Sequence, residues 1–218
     1  MKIKAIVTGA SGMVGEGVLY ECLQRNDVEE VLVVGRRSCG HTHPKLKEVI
    51  HANLYDLSPV ENQLKGYDAC FFCLGMSSVG VKEPEFTKVT YDLTMHFAQT
   101  VSRLNPGMTF CYISGRGTNE NGKLMWQRVK GKTETDLTKL PFKQVYNFRP
   151  GIIKPTKGLK NTLSFYKWLG WMLPVINTIS AGSVVTLQQI GDAMINVTQK
   201  GYEKKIVEVK DIIALAKN

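Results

Sequence analysis

Two hundred and eighteen residues, 43% of them hydrophobic, can bury one substantial core, and this composition excludes collagen-like, disulfide-scaffold and mostly disordered chains. The formal charge is +9, and residues 123–167 carry the whole excess, because eleven Lys and Arg side chains there face only Glu134 and Asp136. Such a segment attracts anions, a description that phosphate-bearing cofactors, nucleic acid and anionic lipid all meet.

In chain order, residues 2–7 predict a first strand ending at Thr8-Gly9, followed by a helix with Val14, Val18 and Cys22 on one face. Residues 31–34 are continuously apolar, as in a strand buried on both faces of a parallel sheet. A third, weaker strand is predicted over 48–53 and a fourth over 69–74. A long helix from Pro84 to about Leu104 carries the stripe Phe86, Val89, Leu93, Phe97 and Val101, and Asn105-Pro106-Gly107 stops it. Residues 108–113 predict a fifth strand, 124–137 a helix and 144–148 a sixth strand. Helices separating short apolar strands predict an α/β fold with right-handed crossovers and a doubly wound parallel sheet.

After Arg149-Pro150-Gly151 the alternation gives way to a Lys- and Gly-rich loop, a Trp/Leu-rich helix at about 161–173, a helix near 186–199, a strand at 206–209 and a short final helix. Residues 1–153 are expected to form the sheet domain, with 154–218 a small C-terminal lid integrated with it, since the tail is too short for a core of its own. Phe165, Tyr166, Trp168 and Trp171 would either cover a substrate or pack the lid against the sheet. The N-terminal apolar run is too short for a secretory signal, and residues 163–176 fall short of the ~20 needed to span a bilayer. A cytoplasmic protein without a membrane segment is expected.

Five cysteines are an odd number, and most sit in apolar runs. Cys70 and Cys73 have redox or zinc spacing, but a strand would point them to opposite faces, and no second ligand pair accompanies them. No metal is expected, and no role falls to His41, His43, His51 or His96.

Thr8-Gly9-Ala10-Ser11-Gly12-Met13-Val14-Gly15 joins the first strand to the first helix with glycines at spacing three and three. Gly9 permits the tight turn, Gly12 lets a pyrophosphate approach the backbone, and Gly15 lets the helix pack closely. The helix N-terminus then offers free N–H groups and a positive dipole to phosphate. At the first βα junction of a βαβ unit, this pattern predicts dinucleotide binding. The second strand ends in Gly35-Arg36-Arg37, with no Asp or Glu from 31 to 38. An acid there would take the ribose 2′-hydroxyl of NAD, whereas arginine pairs with a 2′-phosphate, so NADP is preferred over NAD. Solvated loop charges are the alternative for these arginines.

That turn, the Arg pair, Cys73-Leu74-Gly75, Ser114, Val129-Lys130-Gly131-Lys132-Thr133-Glu134 and Phe148-Arg149-Pro150-Gly151 together resemble the atypical short-chain dehydrogenase/reductases. Within these, the chain is similar to the Tat-interacting-protein oxidoreductase-like group and to bacterial relatives labelled nucleoside-diphosphate-sugar epimerases. The resemblance implies a Rossmann fold in which Ser11, Gly12, Met13 and Val14 line the pyrophosphate and Arg36 and Arg37 meet the adenosine phosphate. It also implies Asn53 and Leu54 beside adenine, where the family has an acidic and an apolar residue. Leu74, Gly75 and Met76 would border the nicotinamide ribose, and Pro150, Gly151, Ile152 and Ile153 would cap the nicotinamide.

Family members that reduce carbonyls use Tyr-x-x-x-Lys on one helix, with a serine after the fifth strand. The spacing puts Tyr and Lys on one helical face, where the ammonium lowers the phenol pKa. Here Ser114 and Lys130 match as catalytic candidates, and Lys130 also as a cofactor ligand, but Trp126 stands at the tyrosine position. An indole N–H donates a hydrogen bond and cannot shuttle a proton. Tyr91, Tyr112, a water or a lid residue would then protonate the substrate, a small carbonyl or sugar-like molecule. The alternative is a catalytically silent NADP-binding regulatory or interaction module. Nucleic acid is not an expected partner, because residues 123–167 hold no binding motif or stacking platform.

Overall fold

The computed structural model describes residues 2–156, 158–161 and 183–217. The expected helix at about 161–173, with Phe165, Tyr166, Trp168 and Trp171, lies almost wholly outside the described residues.

β1 (Ile3–Thr8), β2 (Val28–Gly35), β3 (Leu46–Ile50), β4 (Ala69–Phe72), β5 (Thr109–Ile113) and β6 (Gln144–Arg149) lie in one parallel sheet with a later strand, β9 (Ile206–Glu208). The strand order is β3-β2-β1-β4-β5-β6-β9, so the chain reverses direction across the sheet between β1 and β4. A crevice opens at such a reversal, outside the carboxyl ends of the strands. β7 (Ile152–Lys154) and β8 (Val184–Thr186) form a separate parallel pair.

Helices cover both faces. α1 (Met13–Gln24), α5 (Leu187–Lys200) and α6 (Val209–Leu215) bury Val18, Cys22, Leu187, Met194 and Ile212 on one face. On the other, α2 (Glu83–Thr87) runs through a π-helical segment, Lys88–Asp92, into α3 (Leu93–Leu104), beside α4 (Met125–Leu137) and a 3₁₀ helix at Ser58–Leu64. Phe97 and Val101 of the expected stripe are buried there, packed with Phe72 and Phe110. Each such side chain stabilises the fold by about 1.5–3 kcal/mol through removal from water. Cys70 is buried on this face while Cys73 packs against the other, as the strand alternation requires.

The third strand and the C-terminal tail differ most from expectation, and the fourth strand ends at Phe72, short of Leu74. The third strand starts and ends earlier than 48–53, because it pairs with β2 from Val31↔Leu46 to Gly35↔Ile50. Asn53 then turns the chain, its Oδ1 accepting the Tyr55 N–H at 3.1 Å. Residues 183–217 do more than flank the sheet. β9 supplies its seventh strand, and Leu187 of α5 packs against α1 at Gly17, where an added Cβ would lie 2.7 Å from the leucine Cβ.

Candidate functional site

The turn after β1 is built around Gly9 and Gly15. Gly9 has φ +70°, and a Cβ there would come within 2.7 Å of the Cys73 backbone, so β1 and β4 end in contact. A Cβ on Gly15 would lie 2.2 Å from the Gly9 carbonyl oxygen, which only glycine permits. Gly12 is exposed and its nearest neighbour would be 3.4 Å from a Cβ, so a ligand can come close to its backbone, although its N–H donates to the Gly9 carbonyl at 2.9 Å. The first amides of α1 lack intrahelical partners and face this opening.

The opening leads into a cleft of about 640 Å³ between the ends of β1, β2 and β4. Cofactor and small-molecule sites occupy roughly 300–1,000 Å³. Gly9, Ser11, Gly12, Arg36 and Arg37 line it, as do Asn53, Leu54, Leu74, Gly75 and Met76. Arg36 and Arg37 are exposed and make no ion pair with any described residue. Tyr55 and, from the α2 and π-helical stretch, Glu85 and Val89 also line the cleft, and the sequence reading missed all three. The signal for Tyr55 is its place next to Asn53-Leu54, and its hydroxyl donates to the Lys88 carbonyl at 2.9 Å.

Met13, Val14 and Gly15 do not line this cleft. Met13 and Gly15 are buried, and Val14 packs against the core. Their contribution is restricted to backbone amides and close packing. Pro150, Gly151, Ile152 and Ile153 lie outside it as well, where Ile152 and Ile153 pair with β8. Pro150 nevertheless borders the Ser114 turn, its carbonyl accepting the Arg116 N–H at 3.2 Å.

Ser114 follows β5, one strand over from Cys73-Leu74 at the end of β4. Its N–H donates to the Phe148 carbonyl at 2.8 Å, and its Oγ lies 3.0 Å from Thr118 Oγ1. Thr118 spends its own hydrogen on the Gly115 carbonyl at 2.8 Å. Ser114 is therefore the donor to Thr118, and it offers a ligand lone pairs alone. The Trp126 indole lies along the same turn, with its Cη2 3.6 Å from where a Cβ on Gly117 would be.

Lys130, one helical turn after Trp126, donates from Nζ to the Ile113 carbonyl at 3.3 Å and sits 5.2 Å above the Tyr112 ring. Burial pushes its ammonium down to about 8, against the upward pull of Glu134. The two tyrosines named as alternative acids are not available. The Tyr91 hydroxyl donates to Asp136 at 2.7 Å, in a group with Lys132. Tyr112 is 1% exposed, its hydroxyl has no hydrogen-bond partner among the described residues, and burial raises its pKa well above the usual phenol value.

The family model described as the NAD dependent epimerase/dehydratase family matches residues 5–133, well over half of the chain. The chain belongs to this epimerase/dehydratase family. It is 25% identical over 230 residues to Protein FMP52-1, mitochondrial, of Scheffersomyces stipitis, covering 99% of both chains. It is also 25% identical to Protein HTATIP2 of Rattus norvegicus, over 97% of this chain and 88% of that one. Among solved structures, the Bordetella bronchiseptica enzyme WbmF in complex with NAD+ superposes with a TM-score of 0.68 at 14% identity, over 99% of this chain and 77% of that one. The Helicobacter pylori ADP-L-glycero-D-manno-heptose-6-epimerase superposes at 0.69 and 16% identity, over 99% of this chain and 81% of that one. These two likenesses carry the doubly wound fold.

The comparisons also correct one expectation. A cytoplasmic assignment rested on the lack of a secretory signal, yet the FMP52 relatives from several yeasts are named as mitochondrial proteins. A short N-terminal apolar run does not discriminate among compartments. Among the described residues no helix is long and apolar enough to cross a membrane.

Proposed function

We propose that this member of the epimerase/dehydratase family binds NADP in the cleft and acts as an oxidoreductase or epimerase-like enzyme on a small carbonyl or sugar-like substrate. The observation that carries the reading is the Arg36-Arg37 pair, exposed, without an ion pair among the described residues and lining the same cleft as Gly12. The first amides of α1 suit a pyrophosphate, the Gly12 N–H itself being taken by the Gly9 carbonyl at 2.9 Å, and guanidinium groups with no ion-pair partner among the described residues suit a 2′-phosphate. WbmF is a fold neighbour whose structure holds NAD+, which agrees with a dinucleotide in this cleft. Asn53 and Leu54 would flank the adenine, Leu74, Gly75 and Met76 the second ribose, and Pro150 to Ile153 the far end beside Ser114. A nicotinamide cofactor supplies or removes hydride when bound.

The chain's own part is to hold the substrate oxygen. Ser114 accepts, so a substrate hydroxyl donating to it fits better than a carbonyl needing a donor. Lys130 stands one residue away at the Ile113 carbonyl, and an ammonium with a pKa near 8 is partly neutral at physiological pH, able to donate or accept a proton. Trp126 contributes a wall.

The test is a fluorescence titration with NADPH and NADH, followed by alcohols with NADP+ and carbonyls with NADPH. Micromolar NADPH binding, lost on Arg36→Ala with Arg37→Ala while NADH is spared, and turnover of an alcohol are the expected results. Failure to bind either cofactor overturns the reading. Trp126 in place of tyrosine favours a second one, a catalytically silent NADP-binding regulatory or interaction module. Tight binding with no turnover across both panels would select it.

A further inference from the structure

Glu16 is a carboxylate in the first turn of α1 that is 1% exposed, an uncommon place for an acid beside a site read as anion-binding. Its oxygens are fully engaged. Oε1 accepts the Lys160 N–H at 2.9 Å and His41 Nε2 at 3.2 Å, and Oε2 accepts the Asn161 N–H at 2.7 Å. Because a carboxylate only accepts, His41 must carry its proton on Nε2. Burial alone would raise the Glu16 pKa, but these donors together hold it below the usual carboxylate value.

The contacts tie three separate segments together: the phosphate-facing turn of α1, the loop after β2, and residues 158–161. Lys160 reinforces the tie, donating from Nζ to the Gly40 carbonyl at 3.1 Å. Within the loop after β2, Arg36 and Arg37 stand between fixed points. Upstream, the Gly35 carbonyl accepts the His51 N–H at 2.9 Å. Downstream, Glu48 accepts Ser38 Oγ at 2.8 Å and the Cys39 N–H at 2.7 Å, and then His41 reaches Glu16. Glu48 fixes the loop to its own sheet strand. Glu16 fixes it to the N-terminal turn of α1, while Lys45 Nζ, donating to the Leu23 carbonyl at 3.3 Å, ties the far end of the loop to the other end of that helix.

We infer that Glu16 is a positioning residue for cofactor choice, setting the spacing between the amides of the α1 turn and the Arg36-Arg37 pair through His41 and the 158–161 segment. The inference rests on the NADP reading above. A dinucleotide with a 2′-phosphate must meet the helix amides and the arginines at once, so it senses that spacing. NADH lacks the 2′-phosphate and meets the α1 turn through its pyrophosphate only.

Simple electrostatics predicts the opposite sign, which makes Glu16→Gln decisive. Removing a negative charge near bound phosphate should tighten NADPH binding if position were irrelevant. If Glu16 positions the loop, the amide leaves one of the two backbone donors unpaired and loosens it. We expect Glu16→Gln to weaken NADPH by about tenfold and NADH by less than twofold in fluorescence titrations at fixed salt and pH. His41→Ala, which leaves the buried carboxylate in place, should shift the NADPH/NADH ratio in the same direction, by a smaller factor. Tighter or unchanged NADPH binding, or equal loss of both cofactors, overturns the inference. Should Glu16→Gln fail to fold, an unchanged ratio in His41→Ala overturns it equally. A wild-type protein that binds both cofactors without preference also defeats it, while leaving dinucleotide binding intact; binding of neither defeats both.

Discussion

The Thr118 hydroxyl decides which way Ser114 points its hydrogen. With Thr118 Oγ1 donating to the Gly115 carbonyl at 2.8 Å, Ser114 donates across 3.0 Å to Thr118. Both residues are buried, at 4% and 6% exposure, so neither hydroxyl has ready access to bulk water as a substitute. Thr118→Val keeps the shape and deletes the relay, leaving the Ser114 hydroxyl without its partner and the Gly115 carbonyl with the Thr118 N–H at 3.2 Å alone. We expect a loss of about 1–2 kcal/mol in urea unfolding, recovered in Thr118→Ser. Equal stability of the Val and Ser variants would show that the relay does not form.

Trp126→Tyr restores a phenol one helical turn before Lys130. The ring stays within reach of the Gly115 to Gly117 turn, which the indole already contacts. Proton transfer by a positioned side chain contributes on the order of 10²–10⁴-fold. NADP-linked turnover should therefore rise at least about tenfold in this variant, with Trp126→Phe as the control that gains nothing. A Tyr variant no better than Phe would mean that Ser114 and Lys130 do not frame a reacting oxygen.

Lys130 has a stability signature of its own. Its folded pKa of about 8 lies below the value of 10.5 for a free lysine. Between those two values the unfolded chain binds more protons than the folded one, so this group's contribution to stability rises with pH. The urea midpoint of the wild type should gain on that of Lys130→Met from pH 7.5 to 9.5. A constant gap would place the ammonium in water.

Glu21 gives the reverse sign. Burial, with help from Asp192 and against Arg25, raises its pKa from 4.5 to about 6. The folded protein then binds the extra proton in that window, and stability falls as pH climbs through it. Glu21 packs against Gly191, so its charge is held at the α1–α5 contact. Glu21→Gln should raise Tm by roughly 2–4 °C at pH 7.5 and change it little at pH 5. A variant equally shifted at both pH values would point to packing instead of charge.

The β-strand and helix pattern was legible because each element obeys its own period. Val31 to Val34 reads as a strand buried on both faces, and Phe97 and Val101 mark the inward stripe of α3. What the pattern misses is set by partners far along the chain. The third strand begins at Leu46 because β2 dictates the register, and the Ser58–Leu64 3₁₀ turn has too few residues to show a period. In the site, the glycine turn and the arginine pair are local and were readable, since each acts through its own backbone or its place after a strand. Glu16 was not. It stands beside the glycine motif, but its partners are 25, 144 and 145 positions away, and no local spacing announces them. The rejection of Tyr91 and Tyr112 as proton donors depended likewise on what surrounds their hydroxyls.

β9 has a bearing on how the protein is made. Until residues 206–208 have been synthesised, β6 has an open edge of unpaired N–H and C=O groups, although every other strand of the sheet can already be in place. The growing chain thus carries a template for wrong pairing from the completion of β6 until residue 206 has been made, when the three-residue β9 takes over that edge. Chaperone dependence should accordingly track the length of that wait, and slowing translation downstream of residue 149 should favour aggregation.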